Sequence, residues 1–196
     1  MSWFTPAVLI WCGLTVPVLV YALVGKDPTG RLGGRARGPT LDARWGWVLM
    51  ELSALAVFPV VYLAAGERHA VGDVLVALWL AHYVHRTLVW PWFVQRQARP
   101  LPAITAASGF AFNLVNGALL GWFNARLADY PQGWFSDPRF LVGAALFVAG
   151  AALNIYSDYR LATLRAKASG GAVLPRGGPF NLVSCPNLAG EIVEWI

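Results

Sequence analysis

Long apolar runs separated by short polar loops dominate the chain. Five runs reach the roughly 20 residues that a bilayer-crossing helix needs: Trp3–Val24, Trp45–Ala65, Asp73–Phe93, Ala103–Asn124 and Phe140–Leu161. A sixth begins near Val183 and is still running at Ile196. At about 1.5 Å per residue it covers about 21 Å, short of a crossing. The pattern predicts an all-α protein, a multi-span transmembrane helical bundle forming one domain over 1–196, with the sequence expected to break off inside its sixth helix. No Lys or Arg precedes the first run, Lys26 being the first basic residue. A cleaved signal needs a basic start, so this run reads as a retained helix.

Composition agrees with that pattern. Hydrophobic residues make up 57% of the 196 and charged residues only 13%, about half the charged share of a soluble domain. The net charge of +5 does not point to nucleic acid, because the basic residues form no stripe on a polar fold. They sit in loops instead. Lys26, Arg31, Arg35, Arg37, Arg44, Arg96, Arg99, Arg160, Arg165, Lys167 and Arg176 fall in alternate loops, against Arg68, Arg126 and Arg139 in the others. The positive-inside rule then places the N-terminus outside and the basic loops in the cytoplasm. Trp3, Trp45, Trp47, Trp92, Trp122 and Trp134 lie near span ends, as an aromatic belt requires. Cys12 and Cys185 lie too far apart along this topology to bridge, and are read as small buried fillers. No His, Cys or carboxylate set has metal-ligand spacing, so no metal is expected.

The polar residues inside the apolar runs carry more information, since each ionisable group in a span costs roughly 2.5–3.5 kcal/mol. Glu51 lies in the second run, His82, Tyr83, His85 and Arg86 in the third, and Asn113 and Asn116 in the fourth. Asn154 and Asp158 end the fifth, and Asn187, Glu191 and Glu194 occupy the sixth. Helical rise puts Glu51 roughly 9 Å, Arg86 about 10 Å and Tyr83 about 15 Å from the same membrane face. Asn154 and Asp158 are spaced i, i+4, and Asn187, Glu191 and Glu194 i, i+4, i+7, so each set shares a helix face. Tyr83, Arg86 and Trp90 follow i, i+3, i+7 on the third helix. These stripes predict a cytoplasm-facing cavity inside the bundle. Interhelical hydrogen-bond pairs would be the structural alternative.

Five segments, taken in order, resemble the steroid 5α-reductase family. They are Met50-Glu51-Leu52, His82-Tyr83-Val84-His85-Arg86-Thr87, Tyr130-Pro131-Gln132-Gly133-Trp134, Asn154-Ile155-Tyr156-Ser157-Asp158-Tyr159 and Asn187-Leu188-Ala189-Gly190-Glu191-Ile192-Val193-Glu194-Trp195. The resemblance runs from about Trp47 onward. It implies a bundle that takes NADPH from the cytoplasmic side and holds a lipophilic, steroid-like enone deeper in the membrane. Carried over by position, Glu51 and Tyr83 match the pair at the substrate carbonyl. Asn154, Asp158, Arg165, Asn187 and Glu191 match cofactor-binding positions, and Arg99 a basic residue near the cofactor phosphates. His82 and His85 are read as structural, and Arg86 as a buried carboxylate partner. The family continues with the rest of the sixth helix and a seventh, so the resemblance implies a C-terminally truncated member. The loop charges and Ala-rich composition suit a bacterial-type homologue in an inner membrane. Gly170-Gly171 and Gly177-Gly178 do not open a helix after a strand, so a Rossmann reading fails. Reduction of another enoyl or polyprenyl substrate, an S-adenosylmethionine-dependent methyltransferase and a non-enzymatic lipid-binding bundle are the competing readings.

Overall fold

The computed structural model describes residues 3–24, 38–66, 68–94, 100–167 and 175–196. Helix α1 spans Phe4–Val24, α2 Ala43–Ala64, α3 Ala70–Val84, α4 Trp90–Phe93, α5 Ala103–Arg126, α6 Pro138–Lys167 and α7 Pro186–Glu194. Two short strands, β1 (Thr40–Leu41) and β2 (Leu101–Pro102), pair antiparallel. The all-α expectation holds. Helices α2, α5 and α6 are each long and apolar enough to cross a membrane, and α1 is apolar over Phe4–Val18. Large apolar side chains such as Leu9, Val60, Leu141 and Val148 stand exposed on the outer faces of these helices. Such a surface suits lipid rather than water.

The small ladder fixes how the bundle is wound. Strands β1 and β2 lead directly into α2 and α5, so the two helices start side by side, and they run parallel, with Gly109 against Met50, Gly117 against Phe58 and Gly121 against Val61. Asp42 caps α2, its Oδ1 accepting the Arg44 and Trp45 N–H groups at 3.0 and 3.2 Å. Small residues let α5 lie against α2. A Cβ on Gly117 would meet Phe58 N at 3.2 Å, and one on Gly121 would meet Phe58 O at 2.9 Å. Without a hydrophobic drive between helices in lipid, close backbone approach of this kind holds spans together. Helix α3 joins the pair through Trp79, whose Nε1 donates to Ala54 O at 2.7 Å. Helix α1 lies antiparallel on α5 by ring contacts, with Trp3–Trp122 at 5.6 Å and Trp11–Phe112 at 5.5 Å.

The third run is not the uniform helix that its length predicts. Residues His85–Val89 form a π turn between α3 and α4, with the Trp90 N–H reaching back five residues to His85 O. Pro91 supplies the reason. It has no N–H for the Thr87 carbonyl, and its ring would clash with that carbonyl in a regular helix. A widened turn relieves the clash. The regular helical spacing expected for Tyr83, Arg86 and Trp90 is interrupted by the π turn, yet Arg86 and Trp90 still reach the same carboxylate oxygen, Asp158 Oδ2. The sixth run becomes α7, starting at Pro186.

Helices α6 and α7 cross at two glycines. A Cβ on Gly190 would sit 2.6 Å from Asn154 N and 2.7 Å from Gly150 O, both backbone atoms. Gly190→Ala must therefore push the helices apart, an overpacking cost of about 1–3 kcal/mol. In detergent the melting temperature should fall by roughly 3–10 °C. Gly143→Ala, on the same helix with nothing within 4 Å, should leave it unchanged or raise it. Equal behaviour of the two variants would mean that the crossing is not close.

Candidate active site

Arg86 organises the polar groups. From the π turn its Nη1 reaches Asp158 Oδ2 on α6 at 3.1 Å, and its Nη2 reaches Glu191 Oε1 on α7 at 2.8 Å. Its guanidinium lies between two indoles, 5.0 Å from the Trp47 ring and 4.8 Å from the Trp90 ring. Both are cation–π distances. Trp47 Nε1 also donates to Arg86 O at 3.1 Å. Trp47, read from sequence as a belt residue, is thus part of the interior site. Arg86 is the carboxylate partner that the sequence suggested, with two carboxylates rather than one.

Asp158 is fully engaged. Besides Arg86, its Oδ2 accepts Trp90 Nε1 at 2.5 Å, and its Oδ1 accepts Asn187 Nδ2 at 2.9 Å. Asn154 Nδ2 donates to Asn187 O at 2.9 Å. The i, i+4 pair on α6 and the polar stripe on α7 therefore meet, as their spacing predicts. The glycine crossing brings their backbones close enough for it.

Glu51 and Tyr83 approach the same region from α2 and α3. Glu51 is buried, and its Oε2 accepts a long hydrogen bond from Asn113 Nδ2 at 3.4 Å. It lies within electrostatic reach of Arg86, His82 and Glu191. Tyr83 is within reach of Glu51, Glu191, Glu194 and Arg86. No hydrogen bond joins the Tyr83 hydroxyl to Glu51 or to another described residue. The Tyr83 ring packs on Trp79 at 4.5 Å and His82 at 4.8 Å. His82 Nδ1 lies 2.7 Å from Glu194 Oε1. With a carboxylate as acceptor, Nδ1 carries the proton.

Several buried polar atoms have no hydrogen-bond partner. They include Glu194 Oε2, His85 Nε2 and Arg160 Nε. In a native interior such atoms are few and call for an explanation.

Not every predicted residue joins the cluster. Arg165 is exposed on the last turn of α6. It shares that end with Lys167, Arg160 and the Arg176 carbonyl, which accepts Arg160 Nη2 at 3.2 Å. Arg99 lies outside the described residues, as do Gly170 and Gly171. Gly177, at φ 88°, and Gly178, at φ 58°, form the turn into a short 3-10 helix. Cys12 and Cys185 are free and exposed rather than buried fillers. Cys12 lies on an outer face of α1, and Cys185 just before α7, outside the packed core. Two cavities open at the end of the bundle remote from the ladder. One of about 370 Å³ is lined by His69, Tyr130 and Trp134, and one of about 260 Å³ by Trp3, Trp122 and Arg126. Polar side chains from α2, α3, the π turn, α6 and α7 converge on one buried region, several of them paired with one another and Glu194 Oε2 and His85 Nε2 without a partner among the described residues.

A helical, lipid-embedded chain with buried carboxylates, amides and one shared arginine between its spans defines an integral membrane protein with an interior polar site. Residues 99–196 match the family described as 3-oxo-5-alpha-steroid 4-dehydrogenase. The chain is 37% identical over 189 residues to 3-oxo-5-alpha-steroid 4-dehydrogenase 1 of Bos taurus, covering 94% of this chain and 73% of that protein. It is 42% identical over 159 residues to 3-oxo-5-alpha-steroid 4-dehydrogenase 2 of Homo sapiens, covering 80% and 61%. It is 36% identical over 197 residues to steroid 5-alpha-reductase DET2 of Arabidopsis thaliana, covering 96% and 74%. The chain belongs to the steroid 5α-reductase family, whose members are oxidoreductases acting on CH–CH bonds. It spans 61% to 74% of the length of these three relatives.

Proposed function

We propose that the protein reduces the carbon–carbon double bond of a 3-oxo-Δ4 steroid to the 5α-dihydro product, with NADPH as reductant. The observation that carries this reading is the approach of Glu51 and Tyr83, from separate helices, to one buried polar site that the α6 and α7 amides also reach. When bound, NADPH supplies a hydride to the β-carbon of the enone, and a proton completes the product at the α-carbon.

The residues fit such a cofactor. Buried Glu194 Oε2 and Arg160 Nε have no partner among the described residues, so each has capacity for a ligand. Arg165, Lys167 and Arg176 are exposed near Arg160 at the end of α6. Cations suit a phosphate-bearing ligand, and an arginine fork suits the extra phosphate of NADPH. Asn154, Asp158, Asn187 and Glu191 are proposed to line the cofactor site and Arg99 to serve its phosphates. Asp158 acts chiefly by orienting Arg86 and Asn187, since both its oxygens are occupied. The loop-charge bias supports a cytoplasmic cofactor side and an external N-terminus, and with the Ala-rich composition it suits a bacterial inner membrane.

Charge around the site then decides the role of Tyr83. Hydride arrival pushes electrons onto the carbonyl oxygen, and a positioned donor there stabilises the developing enolate. Three carboxylates lie within electrostatic reach of Tyr83 against one arginine. A bare oxyanion would be repelled in such surroundings. The enolate must therefore be met by a proton, and the unengaged Tyr83 hydroxyl provides one, with Glu51 acting on it electrostatically.

The test is NADPH oxidation by the full-length membrane protein, with testosterone or progesterone against an enoyl thioester. Steroid-dependent oxidation that yields the 5α-dihydro steroid is expected. Oxidation with the thioester alone would keep the hydride chemistry and remove the steroid. Turnover with S-adenosylmethionine in place of NADPH would remove both.

A further inference from the structure

Among the described residues, the buried site holds more acidic groups than cations. Glu51 on α2, Asp158 on α6, and Glu191 and Glu194 on α7 face it. Among the described residues Arg86 is its arginine, and His82 meets Glu194 there. Arg86 is already shared between Asp158 and Glu191. His85, in the π turn, is partly buried, and its Nε2 has no partner. Glu194 stands apart. Its side chain is wholly buried, Oε1 meets His82 at 2.7 Å, and Oε2 has no partner at all. Glu194 nevertheless acts electrostatically on Tyr83, where the reacting carbonyl is placed in the reading above. A buried carboxylate oxygen without a donor is costly, and a positive charge nearby would offset that cost.

We infer that Glu194 makes the nicotinamide end of this site selective for a cation, so that the protein holds the oxidised, positively charged ring more tightly than the neutral reduced ring. The inference rests on the NADPH reading and deepens it. The reduced and oxidised cofactors differ at the ring by one unit charge and are nearly the same in shape, so discrimination between them must be electrostatic. The surplus carboxylate charge also favours the ring as positive charge develops there, which is half of the polarity that hydride donation creates. Tyr83 serves the other half by proton donation. A cost follows: the oxidised cofactor leaves slowly and competes with the reduced one.

One unit charge roughly 10 Å away, at an effective dielectric of about 20, changes binding by about tenfold. Kd values for NADP+ and NADPH should therefore be measured by quenching of tryptophan fluorescence in the purified full-length protein. NADP+ is expected to bind about tenfold more tightly at pH 7.5. Glu194→Gln should weaken NADP+ about tenfold, leave NADPH unchanged, and bring the ratio near one. Should Glu194→Gln fail to fold, the unaltered protein carries the test. Equal or tighter NADPH binding at pH 7.5, or a ratio unchanged in folded Glu194→Gln, would each overturn the inference while leaving NADPH as the reductant. Binding of neither nucleotide would overturn the NADPH reading itself, and this inference with it.

Discussion

Tyr83→Phe is expected to lower turnover by about 100-fold or more, the loss seen when one donor to a developing oxyanion is removed. Cofactor affinity and thermal stability should stay as they are. The structure makes this separation possible. The Tyr83 ring packs against Trp79 at 4.5 Å, His82 at 4.8 Å and Trp195 at 6.0 Å, and phenylalanine keeps those contacts. The hydroxyl gives up no hydrogen bond to a described residue. Steady-state NADPH oxidation, cofactor titration and a melting curve on the same preparation check the three parts. Retained turnover would remove Tyr83 from the chemistry and leave Glu51, the other group near the proposed carbonyl position, as the proton source. Lost turnover with lost cofactor binding would mean that the ring, and not the hydroxyl, is what the site needs.

What could be read from the residues followed from the cost of polarity in lipid. Asp158, Asn154, Asn187 and Glu191 were legible because a carboxylate or amide inside an apolar run must find a partner. Helical spacing then said which of them share a face. Helix limits were legible for the same reason: the second run, expected at Trp45–Ala65, is α2 at Ala43–Ala64. Features that arise from backbone geometry left weaker marks. Pro91 stands in the sequence, but its consequence, the widened turn at His85–Val89, depends on the chain continuing as helix beyond it. Gly150 and Gly190 look like any glycine in an apolar stretch, and only their meeting across two helices gives them a task. Trp47 reads as a membrane-surface residue from its place near a span end. Its contact with Arg86 could not be inferred without knowing that the π turn faces α2. Arg165 matches a cofactor position by sequence, yet it stands exposed on the last turn of α6, at the edge of the site rather than within it.

Arg86→Met should destabilise the protein more than any other single substitution in the cluster, by about 3–5 kcal/mol. Methionine fills much of the space between Trp47 and Trp90 but leaves two carboxylates without their cation. Asp158 is 2% exposed, and after the change only Trp90 Nε1 and Asn187 Nδ2 remain to it. Glu191 loses the 2.8 Å contact that holds α7 to the π turn. Removing one member of a buried ion pair is costly because the remaining charge is stranded, not because the pair itself contributes much. That distinction can be measured. Adding Asp158→Asn to Arg86→Met removes one stranded charge and should recover part of the lost stability, so the two changes are non-additive. Arg86→Lys should recover less than its conserved charge suggests. A single ammonium cannot span Asp158 and Glu191 with a planar fork while stacking between two indoles. Melting curves of the four proteins in one detergent check the order: unaltered protein highest, then Arg86→Lys and the double variant, then Arg86→Met. If Arg86→Met melted with the unaltered protein, the carboxylates around it would have to be neutral already. The surplus negative charge assigned to this site would then not exist.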